Sequence, residues 1–411
     1  MLHRLIRKVF IVFVFVIFTG NMFAQNIITE SGSYKKRKLS KVETEFLFGY
    51  YQQDGDHSAV TGGIGTEELK VYAPAIIVIV PFIKDSLLKT LKVDFGIDAY
   101  TSASSDQIDP ATISSASSKD GRGHISINLA RNNLITGNTW AYSVSGSMES
   151  DYNSIGIGMA YTKLSKDENR EFGINGNAYF DTWIVNIPIE LRPPTIKSKD
   201  DYPRKDRNSF SLSLDYSQVI NKRMQMKITS DIVYQTGLLS TPFHRVYFSD
   251  SYRVRTEELP DTRFKLPLGI RFNYFINSYV IARTYYRYYF DNWNISAHTF
   301  NIELPVKMNS FFSIYPFYRY YTQTKSSYFK PYMKHLSNAP YYTSDYDLSD
   351  FESQLIGLGF RYAPIDGVLR YKNPLMGKRK ITSMEIRYGH YTQTTKLIAD
   401  EISMYLNFRS N

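Results

Sequence analysis

The sequence of 411 residues contains no cysteine, so disulfide bonds, thiolate metal sites and cysteine nucleophiles are excluded. Long hydrophobic runs are also missing after residue 25. The longest, Ala73–Val80, has the length of a strand and contains Pro74, whereas a membrane-spanning helix needs about 17 to 25 apolar residues. Insertion of this part of the chain into a membrane would therefore require a closed β-barrel, the other structure that satisfies its own backbone hydrogen bonds in lipid.

The first residues have the pattern of a secretory signal peptide. Three basic side chains within the first eight residues precede an apolar run from Val9 to Phe18, and the small residue Ala24 follows a short polar stretch. A membrane anchor is the alternative, but this run is shorter than a spanning helix. We predict a signal peptide over 1–24, a periplasmic segment over 25–41 and an outer-membrane barrel domain over 42–411.

The chain is basic, with a formal net charge of +10. In a soluble protein this charge would favour nucleic acid as a partner. An exported protein meets lipid phosphates first. We therefore predict outer-membrane lipid and lipopolysaccharide as partners, and no nucleic acid.

Apolar and polar residues alternate strictly over stretches of about ten residues, most clearly over 91–100, 209–217 and 402–409. This pattern predicts strands with one face toward lipid and the other toward a lumen. Extending it predicts an all-β fold, a transmembrane antiparallel up-and-down β-barrel of about sixteen strands, or fourteen if 67–80 or 123–131 is not a strand. The predicted strands are 42–52, 67–80, 89–101, 123–131, 138–150, 153–164, 171–184, 208–219, 225–236, 263–276, 279–292, 295–308, 311–324, 351–363, 380–394 and 398–409.

The predicted connections alternate in length, as in barrels with long extracellular loops and short periplasmic turns. The inner turns Asn277-Ser278 and Asn309-Ser310 are short and nearly identical. Exceptions are a long inner connection at 364–379 and short outer ones near Asp151 and Asn294. The long outer connections are 53–66, 102–122, 185–207, 237–262 and 325–350.

A soluble β-sandwich also alternates and is the alternative architecture. The predicted segments are longer than the roughly five or six residues of an average globular strand. Tyrosine pairs such as Tyr50-Tyr51 and Tyr288-Tyr289 are typical of aromatic girdles at the two membrane boundaries. The barrel is therefore favoured.

The inward faces of the predicted strands divide by charge. Inward acids come mostly from the first half of the chain, chiefly Asp94, Asp98, Asp181, Asp215 and Asp231. Inward bases come mostly from the second half, chiefly Arg271, Arg283, Arg287, Arg319, Arg361 and Arg387. The separation is incomplete, because two acids lie on the basic side, Glu303 and Glu385, and two lysines lie on the acidic side, Lys92 and Lys227. Either opposed walls of charge line a pore that selects polar solutes, or the charges pair with one another or with an inward loop and close the lumen.

Two predicted outer loops carry distinctive residues that we interpret as a constriction or gate. The candidate gate residues are Asp54, Asp56, His57, His244 and Arg245. Spaced carboxylates over Asp54–Thr66 would suit a hard cation, but a tight glycine-rich loop is favoured. His244 with Ser240 and an acid would resemble a triad, but the nucleophile motif is missing and a packed histidine is favoured. We predict no metal, no cofactor, no catalytic residue and no enzymatic activity.

Four segments resemble a family of unknown function in Gram-negative bacteria: Gln53–Thr66, Ser240–Phe248, Leu259–Arg263 and Tyr286–Trp293. The resemblance covers nearly all of the chain after the signal peptide. It implies an exported, outer-membrane protein with no established activity. It also implies a genomic neighbourhood of flavin-transfer and thioredoxin-like proteins, which would fit a periplasmic redox role.

Two functions follow from these observations. The first is a barrel that passes or binds a small polar solute through its charged lumen. The second is a non-transporting barrel that acts as a scaffold for a periplasmic or envelope protein partner, with redox chemistry as one setting.

Overall fold

Sixteen antiparallel strands form one closed barrel in the computed structural model, which describes residues 42–84, 86–101, 119–196, 198, 201–373 and 377–410. Each strand pairs with the next along the chain, and the last pairs with the first. The strands are β1 Glu43–Asp54, β2 Leu69–Lys84, β3 Leu87–Thr101, β4 Lys119–Asn133, β5 Thr139–Met148, β6 Tyr152–Leu164, β7 Arg170–Ile184, β8 Arg204–Asn221, β9 Met224–Gly237, β10 Thr262–Phe275, β11 Ile281–Asp291, β12 Ser296–Glu303, β13 Phe312–Gln323, β14 Phe351–Tyr362, β15 Gly377–Gln393 and β16 Ile398–Ser410.

The predicted architecture and strand order are confirmed, including the two segments whose strand character was open. The apolar run Ala73–Val80 lies within β2, which pairs with both neighbours. Its pairing with β3 is interrupted at Ala73 and Pro74, because proline has no amide hydrogen to donate. A similar interruption occurs between β10 and β9 beside Pro267. The predicted signal peptide and periplasmic segment lie outside the described residues.

Several short elements accompany the barrel strands. The pair Val306–Lys307 continues β12 and contacts β13, and Leu369–Asn373 pairs with the start of β15. Arg245–Val246 and Arg255–Thr256 form a separate small hairpin. The described helices are single 3₁₀ turns at Ala59–Thr61, Ile189–Leu191 and Tyr346–Leu348. No helix among the described residues is long and apolar enough to cross a membrane.

The outward face of the barrel is apolar, as expected for contact with lipid. Large aliphatic side chains alternate outward along the strands and are about half exposed to solvent, for example Ile127, Val144, Ile155 and Ile356. Tyr72 and Tyr388 also point outward near strand ends, where an aromatic ring with a polar tip suits the membrane boundary.

One end of the barrel carries the long connections and is called the long-loop end. The opposite end has mostly tight turns, except 363–376. Short connections at 149–151, 292–295 and 394–397 also occur at the long-loop end. The predicted outer loop 102–122 lies largely outside the described residues.

The most deeply buried apolar side chains lie in the long loops. Val246 and Phe248 are 0% and 1% exposed, and they pack with Tyr342. Burial of a side chain of this size contributes about 1.5–3 kcal/mol. The described residues of the connections 55–68, 185–203, 238–261 and 324–350 contact one another, and we call them the loop cap.

Candidate functional site

The inward faces of the strands carry many charged side chains, several of which are partly exposed. The side chains of Arg122, Lys227 and Arg283 are 45%, 41% and 45% exposed. They project from inward positions of β4, β9 and β11, each within four residues of the start of its strand. A sixteen-stranded barrel is wide enough to enclose an aqueous channel.

Acids in the first half of the barrel have local basic partners. Asp98 on β3 forms an ion pair of 2.7 Å with Arg122 on β4. Asp215 on β8 forms one of 3.1 Å with Lys227 on β9. Because each pair joins adjacent strands, positive side chains partly neutralise the acidic wall.

The basic half contains a larger ion-pair network around Glu303 on β12. Glu303 accepts hydrogen bonds from Arg283 and Arg387, each at 2.8 Å, and Arg387 also donates to Glu385 at 2.6 Å. The Arg387–Glu303 pair joins β15 to β12 across the two strands between them. The guanidinium of Arg387 also lies 5.4 Å from the ring of Tyr315, an arrangement that holds the side chain against the wall.

The other predicted lumen residues also lie on the inward face. Asp181 is buried and accepts a hydrogen bond from the Tyr152 hydroxyl, and the Arg271 guanidinium lies 5.3 Å from the Tyr285 ring. The remaining residues occupy inward positions of β3, β9, β11, β13 and β14: Asp94, Asp231, Arg287, Arg319 and Arg361. The acids therefore lie on β3–β9 and the arginines on β10–β15.

Arg245 joins three loops of the cap. Its guanidinium forms an ion pair with Glu190, with Nη2 at 3.2 Å from Oε2, and Nη1 donates to the Val60 carbonyl at 2.6 Å. The Arg245 side chain is buried. Glu190 is 43% exposed, but removal of its carboxylate would leave the buried guanidinium of Arg245 without a counter-charge. Arg245 is thus positioned to hold the cap closed.

His57, Asp56 and Asp54 lie at the rim of the cap. The His57 ring stacks on Tyr346 at 3.8 Å between centroids, and its Nδ1 lies 3.1 Å from the Gly63 carbonyl. Asp56 forms an exposed ion pair with Lys396 at 3.2 Å. Asp54 ends β1, opposite the start of β16.

Two segments that carry the family resemblance meet at the same end. Arg263 forms an ion pair with Asp291 at 2.5 Å, and its guanidinium lies 4.2 Å from the Trp293 ring. Asp291 also accepts from the amides of Trp293 and Ile295 at 2.9 and 3.0 Å. These bonds fix the tight turn after β11 and join the two segments to each other.

His244 lies beside two acidic side chains, a grouping that the sequence did not predict. Its Nδ1 is 3.6 Å from Glu257 Oε2 and 3.8 Å from Asp345 Oδ2. We call His244, Glu257 and Asp345 the acid–histidine cluster. Potential ligand atoms of the three side chains lie within 4.8 Å of one another. The Ser240 hydroxyl instead accepts from the Leu259 amide at 2.8 Å.

The protonation of the cluster is governed by burial and by the proximity of its acids. Burial opposes protonation of His244, but Glu257, Asp345 and Asp347 outweigh it and raise its pKa. Burial and the Asp347 charge raise the pKa of Asp345 to about 7. Burial, with Asp347 and Asp345, raises the pKa of Glu67 to about 8. The raised pKa values favour the protonated forms of all three groups, so bound protons relieve the repulsion among the acids.

Three solved structures illustrate the likeness to known proteins. The siderophore receptor PirA from Acinetobacter baumannii is 11% identical, with a TM-score of 0.45, over 87% of this chain and 54% of the receptor. The chain thus spans about half the length of that receptor. A BenF-like porin from Pseudomonas fluorescens is 7% identical, with a TM-score of 0.40, over 89% and 97%. OccAB1 from Acinetobacter baumannii is 8% identical, with a TM-score of 0.41, over 90% and 96%.

These TM-scores are too low for any property of those proteins to be transferred, and the barrel fold rests on the closed strand pairing itself. No curated protein matches the sequence. A family model matches residues 94–394, so the segment Gln53–Thr66 precedes the matched range. Because that range is more than half of the chain, the protein belongs to the family described as Protein of unknown function (DUF3570).

Proposed function

We propose that the protein is an outer-membrane channel that passes or binds small polar solutes. The observation that carries this proposal is the exposure of inward basic side chains: Arg122, Lys227, Arg283 and Arg387 remain one third to one half exposed, although their acidic partners are only 13% to 32% exposed. A lumen filled by packed side chains would bury these groups. The acids of β3–β9 would face the arginines of β10–β15 and orient a polar solute between them.

The loop cap would serve as the gate of this channel. It packs around its own buried side chains, and Arg245 ties three of its loops together. Solute entry would then require the cap loops to separate.

Planar-bilayer recordings test the channel. Purified protein should conduct, and the reversal potential in a salt gradient should shift toward cation preference when Arg283, Arg287 and Arg319 are all changed to glutamate. Reversal of Arg223 to glutamate, in the turn between β8 and β9, is the control and should leave the preference close to that of wild type. Absence of conductance under conditions that open the cap would contradict the proposal.

A second candidate is a non-transporting barrel that acts as a scaffold in an envelope complex. Two features of the loop cap favour the scaffold. The cap has its own buried core, and its connection 238–261 presents Tyr252, which is fully exposed and lies next to Arg253. Crosslinking in intact cells should yield a defined product that disappears in the variant Tyr252→Ser. A barrel recovered without any stable partner would count against the scaffold.

A further inference from the structure

His244 has a buried ring nitrogen without a hydrogen-bond partner. Its Nδ1 is shielded from solvent and is unpaired within the described part of the chain. It points between the carboxylates of Glu257 and Asp345, at 3.6 and 3.8 Å. Both distances are too long for a hydrogen bond. Buried polar atoms are normally satisfied, so this nitrogen indicates a missing ligand.

The neighbouring acids strengthen this indication. Glu257 is only 2% exposed and is held in place by the Thr241 amide at 2.7 Å and the Thr343 hydroxyl. Asp345 accepts from the Asp347 amide at 2.9 Å, which fixes its carboxylate at the start of a 3₁₀ turn. Asp347 and Glu67 interact electrostatically with this group, and of these two Asp347 is exposed and Glu67 is half-buried.

We infer that His244, Glu257 and Asp345 bind one divalent transition-metal ion, such as Mn²⁺ or Zn²⁺, inside the loop cap. One imidazole nitrogen and several carboxylate oxygens form a mixed ligand set suited to these ions, whereas Ca²⁺ and Mg²⁺ prefer oxygen ligands alone. Ligand atoms about 2.1 Å from such an ion lie roughly 3.4 Å apart in tetrahedral geometry. The two separations from His244 Nδ1, 3.6 and 3.8 Å, are close to that spacing, and the ligand atoms of all three side chains lie within 4.8 Å of one another.

The ion would join two loops that are distant in sequence. His244 and Glu257 belong to the connection 238–261, and Asp345 belongs to 324–350. A bound ion would therefore fasten one loop of the cap to another. The inference does not depend on the lumen being a solute pathway.

Metal titration of the chelator-treated, full-length protein in detergent tests the site. Binding is followed through the electron paramagnetic resonance signal of free Mn²⁺, with Zn²⁺ as competitor. Wild type should bind one Mn²⁺ per chain. The variants Asp345→Asn and His244→Gln should each bind it at least tenfold more weakly. Asparagine retains an oxygen to accept from the Asp347 amide, so Asp345→Asn preserves the 3₁₀ turn.

Two control variants address other places where a metal ion could bind. His390 and Asp400 form an exposed pair at 2.9 Å, and Asp120, Glu149 and Asp151 form a group of carboxylates only. His390→Gln and Asp120→Asn should leave the single Mn²⁺ site unchanged. The inference would be overturned if neither ion showed saturable binding. It would also be overturned if Mn²⁺ binding persisted in both cluster variants but was lost in a control variant.

Discussion

At the scale of single residues, the cap is stabilised by polar side chains that are buried with a partner from another part of the chain. His335 is an example, because it is almost fully buried and its Nε2 lies 2.8 Å from the Thr343 carbonyl. Its ring also packs edge-on to Phe248. Burial lowers the pKa of His335 below its ordinary value, so the folded cap favours the neutral imidazole.

This shift predicts that His335 makes the cap less stable in acid. A histidine with a lowered folded-state pKa contributes stability above its unfolded value near 6.5, and that contribution is lost as the pH falls through the folded pKa. Protease cleavage of the cap should therefore rise between pH 7.5 and pH 5 more in wild type than in His335→Gln. Glutamine keeps a donor for the Thr343 carbonyl but cannot titrate. If cleavage of the cap had the same pH dependence in wild type and in His335→Gln, His335 would not be the cause of the loss of stability in acid.

At the scale of elements, the strands and the loops obey different rules. Most strands are specified locally by alternation, although β2 contains a continuous apolar run, and neighbouring strands pair through their backbones. The loops instead depend on close approach between segments. Gly63 illustrates this, because its backbone is left-handed at φ 84° and a Cβ would lie 2.6 Å from the Ser344 carbonyl oxygen.

Replacement of Gly63 by alanine should open the cap without affecting the barrel. The left-handed backbone alone costs a side chain about 1–2 kcal/mol, and the contact with Ser344 adds to it. Hydrogen exchange of cap amides should accelerate by about tenfold or more. Gly55→Ala, in the same loop, is the matched control, since its Cβ would meet its neighbours at an ordinary 3.5 Å. If the cap amides exchanged at similar rates in Gly63→Ala and Gly55→Ala, the close approach of Gly63 to Ser344 would not be what holds the cap closed.

At the scale of the whole molecule, closure of the barrel and assembly of the cap are separate events. Closure joins β1 to β16 by continuous pairing. The cap joins loops by a few isolated contacts, such as the reciprocal backbone hydrogen bonds between Glu258 and Tyr342 at 3.1 and 2.7 Å. The gate proposal therefore requires that these few contacts break while the barrel stays intact.

A disulfide between positions 258 and 342 should lock the cap. Hydrogen-bonded antiparallel pairs have Cα atoms about 5.5 Å apart, within the range of a disulfide, and the chain has no other cysteine. The double variant Glu258→Cys and Tyr342→Cys should conduct less when oxidised and recover on reduction. The reduced form of the same protein is the control for the substitutions. Undiminished conductance in the fully oxidised protein would exclude the cap as the gate.

The sequence by itself determined most of the strands and their order around the barrel, and it limited their number to sixteen or fourteen. It could do so because alternation has a period of two residues and each strand pairs with its neighbour in the chain. The inward positions of residues such as Asp94 and Arg319 follow from the same period.

Only the tertiary structure decided which charges pair and how the loops pack. Arg387 reaches Glu303 across two intervening strands, and Arg245 meets both Glu190 and Val60. Asp345 approaches His244 from a loop about one hundred residues further along the chain. No local pattern encodes such contacts, since they depend on the curvature of the barrel and on the packing of loops at its mouth.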